Sequence, residues 1–388
     1  MSSARPRVAL LGATGSIGSQ TLEVLRREPE AFELISIAGS SRLEELAAIA
    51  REFHVSRVGV VSEVDRDVLN ELVGGALDIV VGPKGLEDLA EGADIVVNAV
   101  VGFAGLPVTM AALRAGRRLA LANKESLIAA APLVAKVRTT PGAEIMPIDS
   151  EHCAVHQCLA GSSAHDGYPD VKRLMLTASG GPFRGWSALR LASVAIDDAL
   201  NHPTWKMGPK ITIDSSTLMN KGLEVLEASA LFGIGVDRVD VVVHPQSIVH
   251  SMVQYVDGSI IAQLSSPDMR LPIAYCLGSP VRFNHDWGQL DFTVGMDLSF
   301  EPPDLEAFPA LGLAYDAARR GGAAPAWLSA SNEVAVEAFL AGQIAWTSII
   351  ETVARVMEHY VDDPLSSLED LLSNDATARR LAHGILSQ

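Results

Sequence analysis

The chain has 388 residues, with 30 Lys and Arg against 47 Asp and Glu and a formal net charge of −17. With no basic stripe to displace counterions, this charge argues against nucleic acid and against an anionic membrane surface, while leaving room for a small phosphorylated ligand held by a few donors. A 48% hydrophobic and 20% charged composition at this length suits a globular protein of two or three domains.

The longest apolar stretch, Ile95 to Leu113, is interrupted by Asn98, Gly102, Gly105 and Pro107 and makes a poor membrane span. The first residues pass directly into the strand-like run Val8–Leu11, too short for the core of a signal peptide. Cys153, Cys158 and Cys276 form no Cys-x-x-Cys pattern, so they read as packing residues. A cytoplasmic protein is expected.

Strand-like runs at Val8–Leu11, Leu34–Ala38, Arg57–Val61, Ile79–Val81, Asp94–Ala99, Arg118–Leu121 and Glu144–Ile148 alternate with helical patterns such as Ile17–Arg27, Arg42–Phe53 and Leu106–Ala115. This alternation predicts an α/β domain with a doubly wound, mostly parallel sheet over residues 1–149. From 150 to 278 the runs Lys172–Thr177, Arg238–Val243, Ile248–Tyr255 and Ser259–Gln263, mixed with a helix over Ser216–Phe232, predict an α+β domain on a mainly antiparallel sheet. Residues 279–304 read as a Pro- and Asp-rich linker. Residues 305–388 read as helical, with patterns at Pro309–Arg320, Ser329–Ala341, Ala345–Val361 and Leu365–Leu386.

Gly12-Ala13-Thr14-Gly15-Ser16-Ile17-Gly18 follows the first strand and opens a helix near Ser16. Glycines allow a pyrophosphate to approach the backbone, and the helix start offers unpaired N–H groups. The spacing differs from Gly-x-Gly-x-x-Gly, and an ordinary Gly-rich turn is the competing reading. The second strand ends Ala38-Gly39-Ser40-Ser41-Arg42, with no acid for the ribose hydroxyls, which favours NADPH over NADH.

Three later segments carry chemistry. Asn123-Lys124-Glu125-Ser126 follows a strand, at the sheet edge where such folds bind ligands, and Lys124 can hold an oxygen that develops negative charge. Asp149-Ser150-Glu151-His152 follows another; on an extended chain Asp149 and Glu151 would share a face and a cation, although two oxygens make a weak site and a solvated acidic turn is the alternative. In Asp214 to Glu224, Ser215 is expected at a helix start, with Asn220, Lys221 and Glu224 further along it, suiting a phosphate and one more metal ligand, or else an N-capped surface helix. The loops Ser179-Gly180-Gly181-Pro182-Phe183 and His202-Pro203-Thr204-Trp205 read as segments that close on a ligand, the second as a mobile lid, while His244 reads as structural.

Taken together, Gly-Ala-Thr-Gly-Ser-Ile-Gly, Ala-Asn-Lys-Glu-Ser, Asp-Ser-Glu-His, Ser-Gly-Gly-Pro-Phe, His-Pro-Thr-Trp-x-Met-Gly, Met-Asn-Lys-Gly-Leu-Glu and His-Pro-Gln-Ser resemble, in order and over nearly the whole chain, the 1-deoxy-D-xylulose 5-phosphate reductoisomerase family. The resemblance implies a homodimeric NADP-dependent oxidoreductase of the non-mevalonate isoprenoid route. Its parts would be a Rossmann-like NADPH domain, a central catalytic and dimerising domain and a C-terminal helical domain. It implies that Asp149, Glu151 and Glu224 bind Mg²⁺ or Mn²⁺, with Co²⁺ as an alternative. Lys124, Ser150 and Glu151 would contact the reacting end of the sugar, and Ser179, His202, Ser215, Asn220 and Lys221 its phosphate. Thr14, Gly15, Ser16, Ile17, Gly39, Ser40, Ser41, Asn123, Glu125 and Gly208 would contact the cofactor, and Trp205 would cover the substrate. The family commonly has a basic pair after the second strand; here Ser40, Ser41 and Arg42 would take the 2′-phosphate. Semialdehyde or homoserine dehydrogenases are the rival enzymes, but neither Cys153 nor Cys158 has an activating setting. A silent NADP-binding sensor would leave the carboxylates unexplained.

Overall fold

The computed structural model describes residues 5–160, 162, 167–205, 207–362 and 364–387. The chain divides into two compact units: residues 1–126, 134–153 and 268–287 form the first, and 127–133, 154–267 and 288–388 the second.

In the first unit seven strands, β1 (Arg7–Leu11), β2 (Glu33–Ala38), β3 (Arg57–Val60), β4 (Asp78–Val81), β5 (Ile95–Asn98), β6 (Arg118–Leu121) and β7 (Glu144–Pro147), form one sheet in the order β4-β3-β2-β1-β5-β6-β7. Every recorded pairing is parallel. Val8, Leu10, Val97, Ala120 and Met146 are buried in the core, as expected for strands covered on both faces. Chain order reverses direction between β1 and β5, so the loops after these two strands flank a crevice at the carboxyl ends of the sheet.

The core is completed from far along the sequence. The helix Arg270–Gly278 brings Ile273, Ala274, Cys276 and Leu277 into it. Arg118 Nη1 donates to Leu277 O at 3.3 Å, the Cys276 thiol to Pro147 O at 3.0 Å, and Arg270 Nη1 to Glu23 Oε2 at 3.0 Å. Phe283 then meets Phe32 edge to face, with centroids 5.6 Å apart. Burial of Ile273 and Leu277 alone stabilises the unit by about 4 kcal/mol. A fragment ending at residue 149 is therefore expected to unfold in markedly less urea than one in which 268–287 is joined to it. Urea titration followed by circular dichroism compares them; equal midpoints would show the helix to be dispensable.

The second unit holds β8 (Val171–Ala178), β9 (Val239–Val243), β10 (Val249–Tyr255) and β11 (Ile260–Leu264), in the order β11-β10-β8-β9. β10 runs antiparallel to both neighbours, whereas β8 and β9 are parallel. The helix Met219–Phe232 lies in the crossover between them. The C-terminal helices are Ala310–Arg320, Ala324–Leu340, Trp346–Glu358 and Leu368–Leu386. Trp327 locks two of them, its Nε1–H donating to Asn374 Oδ1 at 2.7 Å. Among the described residues no helix is long and apolar enough to cross a membrane.

Two local expectations are corrected. A single helix over Ser216–Phe232 is in fact two, Pro209–Ser216 and Met219–Phe232, parted by Leu218 at φ +60°. Ser215 therefore lies in the last turn of the first helix, not at a helix start, while Asn220 and Lys221 occupy the first turn of the second. Likewise Asp149 and Glu151 are not on extended chain. β7 ends at Pro147 and a helix runs Ser150–Cys158, with the Cys153 N–H bonded to Asp149 O at 2.8 Å. The two carboxylates are brought together by a helix start rather than by strand alternation.

Candidate active site

The glycine loop leaves β1 at Gly12, φ +89°, where a Cβ would lie 2.4 Å from Ala99 O beyond β5. Only glycine lets these two crossover loops meet. The N–H groups of Gly12 and Ala13 both donate to Ala38 O, at 2.9 and 2.8 Å, tying the loop to the end of β2. Gly15 precedes the helix Ser16–Arg27, whose first turn contains Ile17, while Thr14 is buried. Ser40, Ser41 and Arg42 are exposed past β2, with Arg42 Nη1 at 3.0 Å from Glu45 Oε2.

Asn123, buried past β6, caps the helix Lys124–Val137 by accepting from Ser126 N–H at 3.1 Å. Its amide donates to Val100 O and Gly102 O, each at 2.7 Å. These bonds give Asn123 the task of holding the loop that borders the crevice. Asn98, ending β5, does the same from the other side, donating to Gly105 O at 2.9 Å and Thr109 Oγ1 at 3.0 Å. Sequence reasoning gave Asn98 no role; a lone amide in an apolar strand was the available signal.

Lys124 and Asp149 form an ion pair, Nζ to Oδ2 at 2.6 Å, with side chains only 8% and 12% exposed. His152, also without a predicted role, sets Nδ1 at 3.4 Å from the other carboxylate oxygen. Burial pushes the Asp149 carboxyl up, but Lys124 and His152 outweigh it and hold it well below the usual carboxylate range. Glu151 N–H donates to Asp149 Oδ1 at 3.3 Å, Ser150 Oγ bonds the Glu151 carboxylate, and carboxylate oxygens of Asp149 and Glu151 lie within 4.8 Å of each other. Hard oxygen donors this close suit Mg²⁺ or Mn²⁺.

In the second unit His202 accepts at Nδ1 from the N–H groups of Thr204, at 3.1 Å, and Trp205, at 2.9 Å. Burial lowers the pKa of this imidazole, keeping it neutral. Its hydrogen therefore sits on Nε2 and is donated to Ser179 Oγ at 3.1 Å. Gly181 N–H donates to the same oxygen at 3.1 Å. With both lone pairs used, the Ser179 hydroxyl has only its hydrogen to offer, which suits an anion. Ser179, Phe183 and Pro203 line an open pocket of ≈ 460 Å³. Trp205 is half-buried, its ring centroid 6.1 Å from that of His250. Gly208, alone of the expected cofactor positions in this unit, caps the helix Pro209–Ser216.

Ser215 is partly exposed between buried Asp214 and Ser216. A Cβ on Gly181, φ +67°, would stand 2.6 Å from Ser215 O, so the Ser179 loop and this helix end are in backbone contact. Glu224 is buried and receives hydrogen bonds from the Asn220 amide and the Lys221 ammonium of its own helix. Amide and ammonium each carry further hydrogens, so both can serve Glu224 and a second acceptor. His244 is structural, as expected: Nδ1 meets Ser299 O at 2.8 Å, Nε2 accepts from Ile248 N–H at 3.2 Å, and the ring stacks on Phe300.

A glycine loop at the switch point of a parallel sheet, beside a buried Lys–carboxylate pair, defines a dinucleotide-dependent oxidoreductase fold with an acidic, oxygen-rich site. Family models described as 1-deoxy-D-xylulose 5-phosphate reductoisomerase, its C-terminal domain, and the DXP reductoisomerase C-terminal domain match residues 8–131, 145–232 and 264–381. The 1-deoxy-D-xylulose 5-phosphate reductoisomerase of Cupriavidus metallidurans is 48% identical, with 98% of each chain covered, and that of Chloroherpeton thalassium 46% identical, with 97% of each covered. The solved structure of the Zymomonas mobilis enzyme in complex with NADPH matches with a TM-score of 0.92 at 40% identity over 100% of both chains. A DOX-P reductoisomerase in complex with NADPH, fosmidomycin and magnesium also gives 0.92, at 41% identity over 98% of both. The chain belongs to the 1-deoxy-D-xylulose 5-phosphate reductoisomerase family.

Proposed function

We propose that this chain catalyses the NADPH- and divalent-metal-dependent rearrangement and reduction of 1-deoxy-D-xylulose 5-phosphate to 2-C-methyl-D-erythritol 4-phosphate, a step of isoprenoid biosynthesis by the non-mevalonate route. The observation that carries this reading is the first turn of Met219–Phe232, where a buried carboxylate suited to a cation is bonded to an amide and an ammonium suited to a phosphate. Asp149, Glu151 and Glu224 would hold Mg²⁺ or Mn²⁺, which supplies Lewis acidity toward the ketone and adjacent hydroxyl oxygens of the substrate. NADPH supplies the hydride, with Thr14, Gly15, Ser16, Ile17, Gly39, Ser40, Ser41, Asn123, Glu125 and Gly208 assigned to its site and Arg42 to its 2′-phosphate.

Lys124 steadies negative charge that develops on substrate oxygen, and Ser150 and Glu151 orient the reacting end, Glu151 also moving protons. Ser179 donates to the phosphate, its polarity set by His202, while Ser215, Asn220 and Lys221 complete the anion site. Phosphate binding then supplies energy for Trp205 to cover the substrate and exclude water.

Residues 1–149, with 268–287 joined to them, are assigned to the cofactor domain, the rest of 150–278 to the catalytic and dimerising domain, and 305–388 to the helical domain after the remainder of the 279–304 linker. Two chains associate as a homodimer; the edge strand β11 supports this, with Ile260 and Ile261 about half exposed on an open ladder. The cytoplasm is its compartment, consistent with three free thiols. Purified protein is expected to oxidise NADPH only when both 1-deoxy-D-xylulose 5-phosphate and Mn²⁺ are supplied, and to stop on addition of a chelator. NADPH absorbance follows the reaction, and no consumption under the full mixture would reject the assignment.

A further inference from the structure

Ser215 is the partly exposed residue between two buried neighbours, and each neighbour is held from the C-terminal helices. Asn332 Nδ2 donates to Asp214 Oδ1 at 2.7 Å, both residues at most 1% exposed. Trp346 Nε1–H donates to Ser216 Oγ at 2.9 Å, and Ser216 passes its own hydrogen to Ile213 O at 2.7 Å. The Trp346 ring also meets Phe183 edge to face at 5.4 Å. Phe183 lies two residues beyond Gly181, whose backbone touches that of Ser215.

We propose that Asn332 and Trp346 are positioning residues of the phosphate pocket, setting Ser215 through its two chain neighbours and the Ser179 loop through Phe183. The inference rests on the reading of Ser179 and Ser215 as phosphate ligands. Neither side chain is among those that line the pocket beside Ser179. Asp214 keeps a second partner, Lys210 Nζ at 2.8 Å, so losing the Asn332 amide leaves its charge paired but its direction less constrained. The buried indole N–H has the Ser216 hydroxyl as its acceptor, and the ring bridges two segments that are far apart in sequence.

The test uses full-length protein with Ser215→Ala, Asn332→Ala, Trp346→Phe and Trp346→Leu. Trp346→Phe keeps an aromatic ring against Phe183 and removes only the N–H, so it is the variant expected to stay folded. Asn332→Ala and Trp346→Phe should each raise KM for the phosphorylated sugar about five- to tenfold, with kcat within about twofold. Inorganic phosphate should weaken as a competitive inhibitor by the same factor, and NADPH affinity should hold. Trp346→Leu, which also loses the ring contact, should show the larger KM effect. Unchanged KM and phosphate inhibition in both milder variants, while Ser215→Ala raises KM, would overturn the positioning role and leave the phosphate reading standing. Parallel losses of kcat and NADPH affinity would also overturn it, marking general disruption. An unchanged KM in Ser215→Ala would overturn the phosphate reading and this inference with it.

Discussion

Replacing Glu224 with Gln lowers turnover by about two to three orders of magnitude, while the NADPH dissociation constant stays within about twofold. The side chain is 1% exposed and its two oxygens face an amide and an ammonium, so each carboxylate oxygen has a donor in place of water. Gln preserves the volume but removes the charge and presents an amide N–H₂ where one of those donors needs an acceptor. In the proposed site the cation would lose one of three anionic ligands and the phosphate donors their shared anchor. Steady-state kinetics across a Mn²⁺ titration read the loss, and fluorescence titration reads NADPH binding. Near-normal turnover at low Mn²⁺ would remove Glu224 from the metal set.

Replacing Lys124 with Met abolishes a buried ion pair as well as the proposed catalytic contact, and the two consequences can be separated. Asp149 would keep His152 but lose its 2.6 Å partner in a nearly closed site, at a cost of about 3 kcal/mol. A divalent cation would then supply the compensating charge that the ammonium no longer gives. Mn²⁺ is thus expected to raise Tm by more in the variant than in the parent, because stabilisation by a ligand follows its affinity for the folded state. Turnover nevertheless stays about a hundredfold or more below the parent, since saturating metal would not replace the ammonium proposed to face substrate oxygen. Calorimetry with and without Mn²⁺ checks the first part and NADPH oxidation the second. An equal metal-induced rise in Tm in both proteins would show that Lys124 does not compete with the cation for Asp149.

The alternation that predicted seven strands before residue 149 appears in the structure nearly residue for residue, because each run is short, apolar and bounded by turn signals. The second sheet was legible for the same reason, down to its mainly antiparallel character. What could not be read was how the chain breaks between helices. Leu218 in a left-handed conformation carries no local signal, since leucine is a good helix former and its strain is carried by the tertiary contacts around it. Residue types at the site were legible, and their mutual placement less so. Asp149 and Glu151 did prove to be neighbours, but through a helix start rather than a strand. His152, Asn98, Asn332 and Trp346 gave only the weak signal of polar atoms among apolar ones, and their partners lie from a few to more than a hundred residues away.

The return of Asp268–Trp287 to the first unit bears on how the protein is made. A ribosome has delivered all seven strands of the parallel sheet by residue 147, yet the helix that closes over Met146 and Ile148 arrives more than a hundred residues later. At about 5–20 residues per second, the nascent sheet waits on the order of ten seconds with an apolar face uncovered. The first unit is thus begun first, yet it is completed only after residues 154–267 of the second have been threaded out. Crowded or slowed translation past residue 149 prolongs that exposure, which makes this stretch of the chain the stage of biogenesis most in need of chaperone cover.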